Sequence, residues 1–245
     1  MRIDLQPAYL LHRQAYRDTS QLLEILTPEH GRLSLVARGV RRKARGGSTG
    51  AILQPFVPLL VSFSGRAELK TLTSAEVAKG AVTLRGERLF SGLYLNELLV
   101  RLLHRHDPHP QLFACYAQTL QDLVPGVSLD ETLRRFEFAL LDELGYNIDF
   151  ASEAHGGEAL QPDYWYHYEA GSGLVRSLAE RRSEIPVFPG EDLLALGQGV
   201  FNVSSRKTAK RLMRLVLAEH LGGKPLRSRD LFSQYSASFS PGCSP

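Results

Sequence analysis

Hydrophobic and polar positions alternate along the first 80 residues with the period of two that is typical of β-strands. The clearest stretch is RLSLVARGV, where Leu33, Leu35 and Ala37 share one face of the predicted strand. Four other stretches of this kind are AYLLHRQAY, SQLLEILT, FVPLLVSFSG and ELKTLTSAEV. Five short strands without an intervening helical period suit an OB-fold barrel, and a five-stranded SH3-like barrel fits the same pattern.

From Glu87 onward the apolar period changes to 3.6, which predicts α-helices. The first helix, ERLFSGLYLNELLVRLLHRH, is predicted to end at Pro108 and Pro110, and PQLFACYAQTLQDLV forms the second. SLDETLRRFEFALLDELG forms the third, with a capping box between Ser128 and Glu131 and an end at Gly145. A short helix, GEDLLALGQG, follows a glycine- and proline-rich region.

The last predicted helix is VSSRKTAKRLMRLVLAEHLGG, which begins after a cap at Ser204 or Ser205 and ends at two glycines. Its apolar residues recur every three or four positions and share one face: Ala209, Leu212, Met213, Val216 and Leu217. A cationic stripe lies about 140° around the helix from that face. The stripe consists of Lys207, Lys210, Arg211 and Arg214.

Together these elements predict an α+β protein, with a five-stranded OB-fold barrel in residues 1–80 and a mostly α-helical domain in residues 81–235. A small irregular or β insert is expected around 146–190, where DYWYHYE is the one strand-like stretch. Residues 236–245 are rich in Ser, Pro and Gly, which predicts a disordered tail.

The net charge of +3 conceals a strong asymmetry along the chain. Residues 1–80 carry 12 Lys and Arg against 6 Asp and Glu, residues 81–203 carry 9 against 18, and residues 204–245 carry 8 against 2. Two basic ends flanking an acidic middle indicate nucleic acid or another anionic partner.

Two cysteines in 245 residues cannot build a disulfide framework, so we expect a reducing, cytoplasmic location. No apolar run approaches the roughly 18 residues of a membrane span, and MRIDLQPAYLL does not resemble a signal peptide. No membrane partner is therefore expected.

The stretch RGVRRKARGGSTG, residues 38–50, contains five cations and no acid, followed by glycines. A solvated loop explains such a run about as well as a phosphate-binding loop. Its place between barrel strands favours phosphate binding, because loops and one sheet face of small barrels bind single-stranded nucleic acid. The predicted DNA-binding residues are Arg13, Arg17, Arg38, Arg41, Arg42, Lys43, Arg45, Lys70 and Lys79, with Arg66 as a further candidate.

No catalytic arrangement is apparent in the sequence. HRHDPHP places His104, His106 and His109 close together, but on a helix the first two diverge, so a polar helix end is favoured over a metal site. Glu137 and its acidic neighbours on the third helix are predicted to be solvated charges. The aromatics of DYWYHYE are predicted to pack, with base stacking as the alternative.

The cationic stripe of the last helix continues into GGKPLRSRDL, and eight cations fall between Arg206 and Arg229 with only Glu219 opposing them. A solvated helix face and a binding surface for an acidic peptide or nucleic acid are equally consistent with this pattern.

Four stretches also resemble those of a known family in the same order. LGGKPLRSRDLF (221–232) resembles the C-terminal signature of the bacterial RecO family of DNA repair proteins. LQPFVPLLVSFSGRAELKTLTSAE is similar to the second half of its OB-fold, and SGLYLNELL and LRRFEFALLDELGY are similar to its helical-domain motifs. The likeness covers residues 1 to about 235 and is strongest to the proteobacterial branch.

The resemblance implies a recombination mediator of the RecF pathway that is not an enzyme and needs no cofactor. It implies binding to single- and double-stranded DNA and annealing of complementary strands. It also implies binding of the acidic, phenylalanine-ended tail of single-strand binding protein and, with RecR, loading of RecA onto coated strands. The residues that match the tail site are Arg135, Lys207, Lys210, Arg211 and Arg214, and a nucleoid-associated location follows from this function.

Many members of that family carry a four-cysteine zinc module where this chain has residues 147–175. This region has no cysteine, so we expect no structural zinc and expect aromatic packing to stabilise it instead. Two other functions stay open from the residues alone. An OB-fold RNA- or ribosome-associated factor is one, because RNA is also a polyanion, and a metal-dependent nuclease using the histidine cluster is the other.

Overall fold

A computed structural model of the chain describes residues 2–40, 49–177 and 185–232. They form two compact units, one made of Met1–Val127 with the segment from Pro225 onward, the other of Ser128–Lys224. The first unit contains β1 (Arg2–Tyr16), β2 (Ser20–Thr27), β3 (Gly31–Ala37), α1 (Thr49–Ile52), β4 (Pro58–Ser64), β5 (Lys70–Val77), α2 (Glu87–Leu102) and α3 (Pro110–Asp122). The second contains α4 (Leu129–Glu143), β6 (Trp165–Glu169), β7 (Gly173–Arg176), β8 (Val187–Pro189), α5 (Gly190–Gly197) and α6 (Val203–His220).

The five predicted strands form a closed barrel in the order β1-β2-β3-β5-β4, with β3 and β5 parallel. This order is that of the OB-fold, so the SH3-like alternative is wrong. β1 is fifteen residues long and pairs with both β2 and β4. Irregularities between Ile3 and Gln6 and between Leu10 and His12 bend it around the barrel.

The barrel core confirms the predicted alternation of β3. Leu33, Leu35 and Ala37 point into the core with the inward residues of the other strands. Ser34 and Val36, on the outer face, are also buried, because other parts of the first unit cover this face.

The first helix is shorter than predicted, because α2 ends at Leu102 and not at the prolines. Leu103 turns the chain to extended backbone, and Arg105 then forms an isolated parallel bridge with Arg32 of β3. Pro110 instead begins α3, where its missing N–H costs nothing.

Two caps also differ from prediction. Ser128 precedes α4 without capping it through its side chain, and its hydroxyl accepts a hydrogen bond from Arg206. α6 begins at Val203, a few residues before the start implied by a cap at Ser204 or Ser205. Its cap is Asn202, whose side chain accepts hydrogen bonds from the backbone N–H groups of Ser204 and Ser205. Gly145, at φ +77°, ends α4 as predicted.

The insert contains more strand than the sequence indicated. β6 coincides with DYWYHYE, but β7 and β8 flank it in a three-stranded sheet of order β7-β6-β8. Tyr166 of β6 is fully buried, and its hydroxyl accepts a hydrogen bond from the backbone N–H of Gln161 at 2.8 Å. Phe138 and Phe150 pack edge to face at 5.6 Å, so aromatic packing does contribute here.

Short polar contacts complete the insert. The carboxylate of Asp149 accepts hydrogen bonds from the backbone N–H of Ala151 and the hydroxyl of Ser152, and these bonds lower its pKa. Ala154 donates to the carbonyl of Leu174 at 2.7 Å. A local turn and backbone pairing therefore stabilise this cysteine-free region.

Candidate functional site

One side of the barrel gathers several of the predicted DNA-binding cations. Gln21 pairs with Ala37, so the β1–β2 loop (residues 17–19) borders the end of β3. Lys70 pairs with Leu35, so the β4–β5 loop (residues 65–69) borders the middle of β3. Strand β3 thus connects the two loops. We call the residues along this path the basic side: Arg17, Arg38, Arg66 and Lys70.

Members of the basic side differ in exposure. Arg17, Arg38 and Arg66 are exposed, and the guanidinium of Arg17 lies 5.3 Å from the centre of the Tyr16 ring. Lys70 is mostly buried, and its ammonium donates to the carbonyl of Ala67 at 3.3 Å. The three arginines therefore present the accessible charge.

The remaining predicted DNA-binding residues lie elsewhere. Arg13 donates hydrogen bonds to the carbonyl of Leu53 at 2.9 Å and to Gln54, so it supports the segment that follows α1. Lys79 follows the end of β5, where Val77 pairs with β4 and not with β3, so it lies apart from the basic side. Arg41, Arg42, Lys43 and Arg45 are outside the described residues.

The outer face of β2 and β3 carries a buried carboxylate that binds three groups. Glu24 accepts from Arg32 at 2.8 Å, from Arg105 at 3.0 Å and from the hydroxyl of Ser34 at 2.5 Å. Arg105 also pairs with Glu68 of the β4–β5 loop at 2.9 Å. The chain after α2 is therefore fixed across this face next to the basic side.

The histidines of this segment do not converge. His104 and His106 are exposed, whereas His109 is buried and lies 3.4 Å from Asp107. Desolvation and the positive charges of Lys70, Arg105 and Arg32 lower the pKa of His106, which Glu68 opposes. Among the described residues, no group of three or more His, Cys, Asp or Glu is arranged to hold a metal ion.

The carboxylates of α4 differ from the prediction at one position. Glu137 is fully buried and pairs with Arg134 at 2.6 Å, so it is not a solvated charge. The sequence signal was available, since Arg134 and Glu137 stand three residues apart on a helix.

Four of the five cations predicted to bind an acidic tail divide into two groups, and Arg214 belongs to neither. Lys210 pairs with Asp130 at 3.2 Å, and Arg135 pairs with Glu131 at 2.9 Å and lies over the Phe201 ring. Both face residues at the start of α4. Lys207 and Arg211 point instead toward β8, and Arg214 is exposed further along α6.

Lys207 and Arg211 border a pocket of about 460 Å³ in the second unit. Its walls are formed by Trp165, Ile185, Pro186, Val187, Pro189, Asp192, Ser204 and Thr208. Asp192 is buried, and its carboxylate accepts from Ser204 at 2.9 Å and from Thr208 at 2.6 Å. The pocket thus has an apolar wall, an internal carboxylate and a cationic rim.

The chain is similar to known proteins over nearly its whole length. Two family models match, "Recombination protein O N terminal" over residues 1–81 and "Recombination protein O C terminal" over residues 84–230. The chain belongs to the RecO family. Curated relatives named DNA repair protein RecO include those of Methylococcus capsulatus, 48% identical over 96% of this chain and 95% of the relative, and Nitrosococcus oceani, 46% identical over 96% and 94%.

A third relative, the RecO protein of Aliivibrio salmonicida, is 40% identical over 95% of this chain and 96% of its own length. The resemblance expected from the sequence motifs is therefore confirmed, as are the proteobacterial relatives and the OB-fold. None of the described helices combines the length and the hydropathy that a membrane-spanning helix needs.

Sequence reasoning missed Arg32 and Arg105 as part of the charged surface beside β3. The stretch HRHDPHP drew attention for its histidines, as a metal site or a polar helix end, and not for the charge of Arg105. The bridge between Arg32 and Arg105, which joins positions 73 residues apart, helps to bring Arg105 onto the barrel.

Proposed function

We propose that this protein is a non-enzymatic DNA repair mediator that acts in the cytoplasm at the nucleoid. It binds single- and double-stranded DNA, anneals complementary strands and, with RecR, helps to load RecA onto DNA coated with single-strand binding protein. Membership of the RecO family supports the repair role. The basic side of the barrel is the observation that supports the proposed DNA binding.

The basic side suits a sequence-indifferent single-strand site. Arginines spaced along β3 and its bordering loops can each contact a phosphate, and such contacts position a strand without reading its bases. If the five cations of residues 38–45 each contact one phosphate, the slope of log affinity against log salt would be about −3.5 for a single strand.

A fluorescence titration of labelled single-stranded DNA across a salt series tests this part. Neutralising Arg41, Arg42 and Lys43 together should weaken binding and flatten the salt slope by about 2. Arg38→Gln and Lys79→Gln form a matched pair, since both remove one exposed cation but only Arg38 is on the basic side. Equal loss of affinity in both variants would contradict the assignment of this surface.

We propose further that the pocket beside α6 receives the acidic, phenylalanine-ended tail of single-strand binding protein. An aromatic side chain can pack on Trp165 and Val187, while the tail's carboxylates meet Lys207 and Arg211 at the rim. The buried carboxylate of Asp192 disfavours a second negative charge deeper inside. The tail would therefore place its ring inward and its charges outward.

Charge reversal separates the two groups of cations. Arg211→Glu should weaken binding of a labelled acidic peptide ending in Phe by about tenfold, since an exposed ion pair contributes up to about 1 kcal/mol and reversal replaces it with repulsion. Lys210→Glu is the control on the same helix, because Lys210 faces Asp130. Loss of peptide affinity in Lys210→Glu alone would overturn the pocket assignment.

The alternative of an RNA- or ribosome-associated factor is tested in the same titration. Single-stranded DNA and RNA of equal length and sequence should bind with similar electrostatic dependence if only phosphates are contacted. A large preference for RNA would favour the alternative.

A further inference from the structure

We propose that Arg105 is a phosphate-binding residue of the DNA site, and that the carboxylate of Glu68 occupies it in the protein without DNA. This inference rests on the proposed function of the barrel's basic side. It adds a residue from the segment after α2 to a surface otherwise built from the barrel.

Arg105 is held in place by a buried anchor. One guanidinium nitrogen donates to Glu24, whose side chain is only 10% exposed and is also bound by Arg32 and Ser34. Two further hydrogen bonds fix the same segment: the backbone N–H of His106 donates to the carbonyl of Arg32 at 3.0 Å, and the side-chain Nε of Arg32 donates to the carbonyl of Leu103 at 3.2 Å. The guanidinium is thus positioned before any ligand arrives.

The other guanidinium nitrogen faces the surface. It donates to Glu68 at 2.9 Å, and the side chains of Arg105 and Glu68 are 42% and 66% exposed. A carboxylate and a phosphate present similar oxygens to an arginine, and arginine binds both well. Because exposed ion pairs are weak, a DNA phosphate can replace Glu68 without disturbing the buried anchor.

The surroundings favour an anion at this position. Arg32, Lys70 and Arg105 together place three positive charges near His106, against the carboxylates of Glu24 and Glu68. Arg66 stands in the same loop as Glu68 and Lys70 begins β5 directly after that loop, so the position continues the basic side along β3. When a phosphate replaces Glu68, Arg105 becomes one more cation whose charge the DNA neutralises.

Glu68→Gln provides the direct test, because it removes the competing carboxylate and leaves the buried Glu24 untouched. We expect a labelled oligothymidylate to bind about two- to fivefold more tightly to this variant, from the weakness of exposed pairs. Glu76→Gln on β5 is the matched control, since it makes the same charge change at an exposed position opposite Leu60.

Arg105→Gln should weaken binding and reduce the salt slope by about 0.7, the value for one phosphate on a single strand. In a double variant, Glu68→Gln should no longer increase affinity, because the residue it frees is gone. Arg105→Lys keeps the charge and should recover part of the affinity. Thermal unfolding of each variant reports whether the Glu24 anchor survives.

Equal gains from Glu68→Gln and Glu76→Gln would overturn the inference, as would a gain that persists without Arg105. Those outcomes leave the proposed function intact, provided that the unaltered protein binds the oligothymidylate with strong salt dependence. If the unaltered protein fails to bind, the proposed DNA site itself is wrong.

Discussion

Glu97 of α2 attaches the last described residues, 225–232, to the rest of the first unit. Its carboxylate accepts hydrogen bonds from the backbone N–H groups of Arg227 and Ser228, both at 2.9 Å, and from the Ser228 hydroxyl at 2.7 Å. Residues 227–232 are helical, so a side chain of α2 caps this last turn of helix. Leu226, which is buried, and the edge-to-face contact of Phe232 with Phe90 complete the attachment.

Glu97→Gln tests how much this cap contributes. The amide retains one accepting oxygen but loses its charge, and hydrogen bonds to charged groups contribute about 1.5–3 kcal/mol against about 1 for neutral ones. With three bonds weakened and partly compensated by water, we expect a loss of about 1–2 kcal/mol in the free energy of unfolding. Urea unfolding followed by circular dichroism measures it.

The cap also predicts a dependence on pH. Desolvation raises the pKa of Glu97, but the hydrogen bonds from Ser228 and Arg227 and the charge of Arg101 outweigh it, so the net shift is downward. A folded-state pKa below the unfolded one contributes stability above the unfolded pKa of about 4.3, and this contribution is lost as the pH falls through the folded value.

Glu97→Gln should therefore be less stable than the unaltered protein at pH 7 and nearly equal to it at the acid end of the range. Glu87→Gln, at the exposed first turn of the same helix, is the control for removing a carboxylate from α2. A stability difference of the same size at every pH would refute the electrostatic part of this reasoning. No difference at pH 7 would refute the cap.

Three further predictions concern stability. Arg134→Met should lower the free energy of unfolding by about 3–5 kcal/mol, because it removes the guanidinium that pairs with the buried carboxylate of Glu137. The double change with Glu137→Leu should recover much of that loss in urea unfolding. Gly31→Ala should prevent normal folding, seen as a lost cooperative melt, since its φ is +61° and a Cβ would lie 1.9 Å from the Asp107 carbonyl oxygen. Asn202→Ala should lower stability by about 1 kcal/mol in the same assay, through loss of the α6 cap.

Local patterns in the sequence predicted most of the secondary structure. The five barrel strands and the apolar face of α6, with Ala209, Leu212 and Met213 buried, follow from periodicity that neighbouring residues define. Family motifs supplied the OB-fold assignment. Boundaries were less accurate where a tertiary contact ended an element, as when the bridge to Arg32 follows the end of α2 at Leu102.

The charged residues were harder to interpret from sequence. Glu137 was predicted to be a solvated helix charge and Glu24 carried no prediction, but each is buried against an arginine. The cationic stripe of α6 appeared to be a single surface, yet Lys210 faces α4 and Arg211 faces β8. Helical periodicity predicts the direction in which a side chain points from the helix axis. It does not predict the charge of the residue that the side chain meets.

The sequence by itself determined the family, the barrel, the helices and the presence of two basic regions, because each depends on residues close together in the chain or on matching motifs. The tertiary structure decided which cations share a surface. Strand register joined the loops that border β3, and a bridge between residues 32 and 105 brought Arg105 to Glu24 and Glu68. Electrostatic interactions weaken with distance in space, and the separation of two residues along the chain does not predict that distance.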